Sequence, residues 1–253
     1  MRHPRTLAPF VPLALLLALA PALAQDQDPH ALLGAALDRL RGPAMVATYT
    51  LEVERPNRSK TYVLRVYTDG GDRSLIEVVE PRRDAGQAFL TVGEDIWVYN
   101  PRLGRVLRLP PSGRNDRFLG SDVSYADLAG RDLERYYEVT LEPSTGTSQV
   151  LTLRLVPKPR APTPWGAVVM VLERETLLPR KILYYDQRGA VAKEVRLEDA
   201  VDLGDGRYLV TKTTVTDRTR TGYRTVFTVS DWKVGPVPEA CFTPEALERG
   251  CRL

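Results

Sequence analysis

Residues 114–128 read Arg-Asn-Asp-Arg-Phe-Leu-Gly-Ser-Asp-Val-Ser-Tyr-Ala-Asp-Leu. They interrupt a long run of short, alternating segments. Upstream, Met45, Ala47, Tyr49, Leu51 and Val53 recur every second residue, and so do Tyr62, Leu64 and Val66. A period of two is the mark of a half-buried strand. Further pairs follow at Ile76 and Val78, at Ala88, Leu90 and Val92, at Ile96 and Val98, and over 106–109. Turn clusters separate them at 69–72, 93–95 and 100–101, as in an antiparallel meander. Within 114–128 the alternation stops, and a turn-rich aromatic and acidic segment takes its place.

Beyond the interruption the strands resume over 137–141, 150–156, 167–173, 180–185, 191–197, 208–215 and 222–232. The proline-rich stretch 157–164 reads as a loop, because too little chain flanks it for independent cores. Ahead of the first strand, Asp28 can cap a helix and Pro29 suits its first position. Leu32, Leu33, Ala36, Leu37 and Leu40 then share one face, and Gly42-Pro43 ends the helix. A last short helix is expected after Thr243, which would cap it, with Gly250 at its end. These elements predict a mainly β fold with helices (α+β). About a dozen short strands, with helices at the start, the middle and the end, have the spacing of a barrel or a sandwich.

The 253 residues carry a formal charge of +3 and 43% hydrophobic side chains. That supports a sizeable core, and the even charge balance argues against a nucleic-acid binder. Arg2 and Arg5, the apolar run 13–20 and the small residues of Ala22-Leu23-Ala24 read as a signal peptide. Cleavage is expected after Ala24, leaving 25–253 as one exported domain. No later stretch is long enough to be an apolar membrane-spanning helix. Export gives Cys241 and Cys251, the only two cysteines, an oxidising compartment in which to join.

Catalytic chemistry finds little footing. His3 lies in the leader and His30 in the first turn of a helix, which leaves no base for a Ser-His-Asp or Cys-His arrangement. No cluster has metal-ligand spacing and no glycine-rich loop opens a βαβ unit, so no cofactor is expected. Asp122 and Asp127 suggest paired carboxylates, but Ser124-x-x-Asp127 has the form of a helix cap. Asp202 to Asp205 reads as a hairpin turn rather than a calcium loop. A second feature is basic: Arg102, Arg105, Arg108, Arg114 and Arg117 fall in one segment with little compensating acid. They suit either a solvated surface or docking to an anionic headgroup or acidic partner.

Three runs then stand together: Ile96-Trp97-Val98-Tyr99-Asn100-Pro101, Arg105-Val106-Leu107-Arg108-Leu109, and Phe118-Leu119-Gly120-Ser121-Asp122-Val123-Ser124-Tyr125-Ala126-Asp127-Leu128. They resemble the outer-membrane lipoprotein-sorting protein family, the LolA-like group. Val123 stands where that family usually has Phe, and Ala126 where it often has Glu. Leu178-Pro179-Arg180-Lys181, Tyr185-Asp186 with Gly189, and Phe242-Thr243-Pro244 with Leu247-Glu248 follow in the same order.

The resemblance implies a strongly curved, half-open antiparallel barrel of about 11 or 12 strands with a helical lid. It also implies a soluble periplasmic carrier, in which the cleaved chain 25–253 holds acyl chains of a lipoprotein or a free lipid in an apolar cavity. Leu64, Val66, Ile76, Val78, Leu90, Ile96 and Val98 are the expected cavity face. Leu107, Phe118, Val123, Tyr125 and Leu128 are the expected lid contacts. Partners would be an inner-membrane transporter or an outer-membrane acceptor, with the chain itself a monomer. A lipid-sensing regulatory protein of the same fold is the alternative from another class, and an accessory to a lipid transporter is a further one.

Overall fold

The computed structural model describes residues 28–129, 132–144, 148–204 and 206–252. The expected signal peptide, 1–24, and Asp205 of the expected hairpin turn lie outside them. The chain opens with α1 (Pro29–Arg41). Six strands follow: β1 (Ala44–Arg55), β2 (Arg58–Asp69), β3 (Arg73–Glu80), β4 (Ala88–Val92), β5 (Asp95–Asn100) and β6 (Arg105–Arg108). Two 3₁₀ turns (Pro111–Asn115 and Phe118–Gly120), α2 (Tyr125–Ala129) and α3 (Asp132–Tyr136) make the interruption. The strands resume as β7 (Tyr137–Leu141), β8 (Val150–Pro157), β9 (Ala167–Glu173), β10 (Pro179–Tyr185), β11 (Val191–Gly204), β12 (Arg207–Asp217) and β13 (Arg224–Val234). A 3₁₀ turn (Glu239–Phe242) and α4 (Ala246–Arg249) close the chain.

All thirteen strands form one antiparallel sheet, ordered β6-β5-β4-β3-β2-β1-β13-β12-β11-β10-β9-β8-β7. That is one or two strands more than the 11 or 12 expected, although each of the thirteen falls on a segment that reads as a strand in the sequence. β1 and β13, from opposite ends of the strand sequence, meet in the middle, so neither half of the sheet is complete without the other. The outer strands β6 and β7 do not pair with each other, and the barrel stays open. A sheet this wide must curl, and irregularities in register at Thr48/Tyr49 and Asp202/Gly204 add bends.

α1 forms as its periodicity predicts. Asp28 accepts a hydrogen bond from the His30 backbone N–H at 3.0 Å, and Leu32, Leu33, Ala36 and Leu37 are buried. These side chains pack on Val139, Leu151, Leu153 and Met170 of the β7–β11 half. His30 is exposed at the helix surface. The expected cap of the last helix is corrected: Glu245 occupies the N-cap position of α4 and makes no side-chain cap bond there. The Thr243 backbone carbonyl instead accepts from the Ala246 N–H. Gly250 ends the helix as expected, at φ 75°.

The C-terminal turn and α4 lie on the outer face of β2–β5. Phe242, Ala246 and Leu247 bury Tyr67, Leu75 and Leu90 there. A disulfide joins Cys241 to Cys251 across ten residues. Closing a loop of that length restricts the unfolded chain by about 2–3 kcal/mol. The double variant Cys241→Ser, Cys251→Ser is expected to lose about that much unfolding free energy in a urea titration, with the sheet itself still formed.

Candidate functional site

The concave face of the sheet does not meet its helical roof everywhere. Between them lies a cavity of about 860 Å³, near the upper end of the range for small-molecule sites. Strand register builds its floor. Tyr49 pairs with Leu64, and Val66 pairs with Ile76, which puts three strands' side chains on one face. Across the β1–β13 seam the floor continues through Phe227 and Val215 to Val195, Leu197 and Ile182. Leu37 and Leu40 of α1, Val123, Leu128 of α2 and Leu133 of α3 form the roof. The surface facing the cavity is mainly apolar. Arg117, Asp122, Asp127, Lys193 and Asp217 gather around the lid segment, and Arg41, Asp72 and Arg73 stand at the end of α1 and the β2–β3 turn.

That segment is held from below by aromatics and from its sides by charge. Phe118 is fully buried; its ring lies edge-on to Phe89 with centroids 4.8 Å apart and 6.0 Å from Tyr125. Leu119 and Gly120 both take positive φ, 50° and 73°, which turns the chain sharply after the Phe118 anchor. Asp122 then accepts from Arg55 Nη1 at 2.8 Å, from Arg117 Nη1 at 3.2 Å and from the Thr225 hydroxyl at 2.8 Å. Arg117 reaches on to Asp217 at 3.5 Å, so the rim of the cavity is stitched to β12.

Ser124 and Asp127 form the reciprocal cap expected from their spacing. The Ser124 N–H donates to Asp127 Oδ2 at 2.8 Å, and the Asp127 N–H donates to Ser124 Oγ at 3.2 Å. The carboxylate does more than cap. Lys193 of β11, 7% exposed, donates to both its oxygens at 2.8 and 2.9 Å. The same ammonium lies 4.1 Å from the ring centre of Tyr184 and 5.0 Å from that of Trp165. Burial pushes the Asp127 carboxyl up, but the Lys193 charge and the Ser124 donors outweigh it and hold the carboxyl below the usual range. Tyr49, on the cavity floor, has its phenol pushed up to about 12 by burial.

Leu64, Val66, Ile76, Val123 and Leu128 line the cavity, with Arg117 at its rim. Val78, Ile96, Val98, Phe118 and Tyr125 do not line it. Val78, Val98, Phe118 and Tyr125 pack together in the core beneath the lid, and Ile96 is buried opposite Thr91. Leu90 requires a correction: it points to the other face of the sheet, under Phe242 and Leu247. β4 buries both of its faces, so alternation carries no sign of which is which. Leu107 also requires one. It lies on the edge strand β6, which pairs on one side only, and is 48% exposed.

The expected basic cluster divides. Arg102, Arg105 and Arg108 stay on the β5–β6 hairpin, while Arg117 turns inward to Asp122. Arg114 is mostly buried and lies 4.0 Å from Glu94. Arg108 pairs with Asp95 and lies over Trp97. Lys193 is the residue that sequence reasoning missed. A lysine in a strand reads as a solvent-facing position, and its partner is 66 residues away. Among the described residues, no group of three His, Cys, Asp or Glu side chains is arranged to hold a metal.

A family model described as that of an uncharacterized protein matches residues 70–249. No curated protein matches the chain. Three solved structures superpose closely. One is an outer membrane lipoprotein-sorting protein domain from Vibrio parahaemolyticus (TM-score 0.75, 24% identity, 87% of this chain and 98% of that one). Another is a DUF1329 family protein from Desulfovibrio piger (TM-score 0.73, 24% identity, 87% and 99%). A third is a LolA superfamily protein from Nitrosomonas europaea (TM-score 0.68, 24% identity, 85% and 97%). The chain belongs to the uncharacterized family whose model covers residues 70–249, and its fold is that of the LolA-like, lipoprotein-sorting proteins.

Proposed function

We propose that the protein is a non-catalytic periplasmic carrier. It takes acyl chains of a lipid or lipoprotein into the cavity between sheet and lid and moves them between membranes. The observation that carries this reading is the cavity itself: an apolar floor of about 860 Å³ under a roof of short helices. Exposing acyl chains to water costs about 0.8 kcal/mol per CH₂, so a carrier must enclose them. Release requires a cover that moves without unfolding the sheet. α2 and α3 are five residues each, and the lid segment is joined to β11–β13 where Lys193 meets Asp127 of α2, Asp217 meets Arg117 and Thr225 meets Asp122. A few polar contacts can exchange for solvent while the cores on either side persist.

The compartment follows from the same reading. A leader cleaved after Ala24 would leave 25–253 as one lipid-binding domain, and the Cys241–Cys251 bond suits an oxidising space. An inner-membrane transporter as donor and an outer-membrane acceptor are the partners such a carrier needs, and it works as a monomer.

Transfer of a fluorescent phospholipid from donor to acceptor vesicles tests the reading. The protein is expected to accelerate transfer in proportion to its concentration, without altering the lipid chemically. Tight lipid binding with no acceleration would rule out transport and leave a lipid sensor.

A further inference from the structure

The turn between β5 and β6 projects an apolar side chain into solvent inside a ring of arginines. Leu103 is 58% exposed at its tip. The turn is well built. The Asn100 carbonyl accepts from the N–H groups of Leu103 and Gly104, each at 3.0 Å, and Asn100 Oδ1 accepts from the Arg102 N–H at 3.0 Å. Gly104 supplies the left-handed residue, φ 59°, with open space around it. The neighbouring β3–β4 loop is tied to the tip by Arg102, which donates to the Arg83 carbonyl at 2.7 Å.

Arg82, Arg83, Arg102 and Arg105 are all exposed around Leu103. Of these, Arg83 pairs with Asp84, while Arg82 and Arg105 make no ion pair among the described residues. With Glu80 at the end of β3 and Asp84 in the β3–β4 loop as its acids, the patch stays net basic; it is convex and tipped by one leucine. A convex surface offers no groove for a peptide. An apolar tip within a basic ring is complementary to a bilayer bearing negative headgroups, where the leucine enters the interface and the guanidiniums stay at phosphate level.

Topology gives the patch a direction. Every neighbouring pair in the sheet is antiparallel, so β5 and β12 run the same way. The turn after Asn100 and the end of β12 at Asp217 consequently lie at one end of the sheet. Asp217 is part of the cavity rim held by Arg117. We propose that the β5–β6 turn, through Leu103, Arg102 and Arg105 with Arg82 and Arg83, docks the protein on an anionic membrane surface and turns the Arg117–Asp217 rim toward it. This docking does not depend on what the cavity carries.

Flotation with vesicles of mixed phosphatidylglycerol and phosphatidylcholine, against pure phosphatidylcholine, tests it at low and moderate salt. The protein is expected to partition onto the anionic vesicles and to come off as salt rises. Arg102→Ser with Arg105→Ser should lower partitioning roughly 30-fold, and Leu103→Ser should lower it several-fold. Both changes are at exposed positions, and circular dichroism should be unchanged. Val66→Trp, inside the cavity, should dock as the unaltered protein does, which separates docking from lipid loading. Equal partitioning onto neutral and anionic vesicles, or wild-type partitioning by the double arginine variant, overturns the proposal. Retention of an acidic protein by this patch without vesicle binding overturns it too.

Discussion

Lys193→Met is expected to lower the unfolding free energy by about 3–5 kcal/mol, the cost of stranding one charge of a buried pair. The geometry explains the size. Lys193 donates to both oxygens of Asp127 and faces the rings of Tyr184 and Trp165, so removing it leaves a largely buried carboxylate with only the Ser124 donors and no counter-charge. Replacing both members, Lys193→Met with Asp127→Leu, should recover most of the loss, because nothing charged remains to be solvated. Urea titrations of the two variants measure the contrast directly.

The same pair fixes a pH signature. The folded-state pKa of Asp127 is depressed relative to the unfolded value of about 3.9. Its contribution is therefore fully present above pH ~4 and drains away as the pH falls through the folded value. In Lys193→Met the partner charge is gone and burial dominates, so the carboxyl rises instead and prefers its proton. The gap between wild type and variant should accordingly be widest near neutrality and narrow below pH ~4. A gap independent of pH would mean that Lys193 acts through packing alone.

Val66→Trp is expected to weaken acyl-chain binding roughly 50-fold while changing stability by less than about 1 kcal/mol. Val66 is half-buried against the cavity, opposite Ile76. An indole there would occupy the space of three or four methylenes, each worth about 0.8 kcal/mol to a bound chain. Were that space filled by protein, the same substitution would overpack it and cost about 1–3 kcal/mol. Leu90→Trp is the control. Leu90 is fully buried under Phe242 and Leu247 on the other face, so the fold should be destabilised with no direct effect on binding. Fluorescent fatty-acid displacement with parallel unfolding curves reads both quantities.

Periodicity made the fold legible where one face of an element is wet. α1 shows its apolar stripe at Leu32, Leu33, Ala36 and Leu37, and β1 and β2 alternate, so their inward faces were readable. It failed at β4, where Ala88, Phe89, Leu90 and Thr91 are all buried and neither parity stands out. Edge position was not legible either: Leu107 has inward parity opposite Val98, yet β6 pairs on one side only and leaves it 48% exposed.

The site was less legible than the fold because its polar members are non-local. Ser124 and Asp127 sit three apart and announce a cap, but the Lys193 that completes the cluster comes from β11. The basic run stays together only in part. Folding leaves Arg102 and Arg105 on an exposed turn and sends Arg117 to the cavity rim with Arg55, Asp122 and Asp217.

Native mass spectrometry of the gently extracted protein tests the central claim, that the space under the lid is a lipid site. The predicted result is a population heavier than the polypeptide by the mass of an acyl lipid, removed by delipidation, restored by added phospholipid and absent from Val66→Trp. A polypeptide that appears only at its own mass, before and after incubation with phospholipid, would contradict the account.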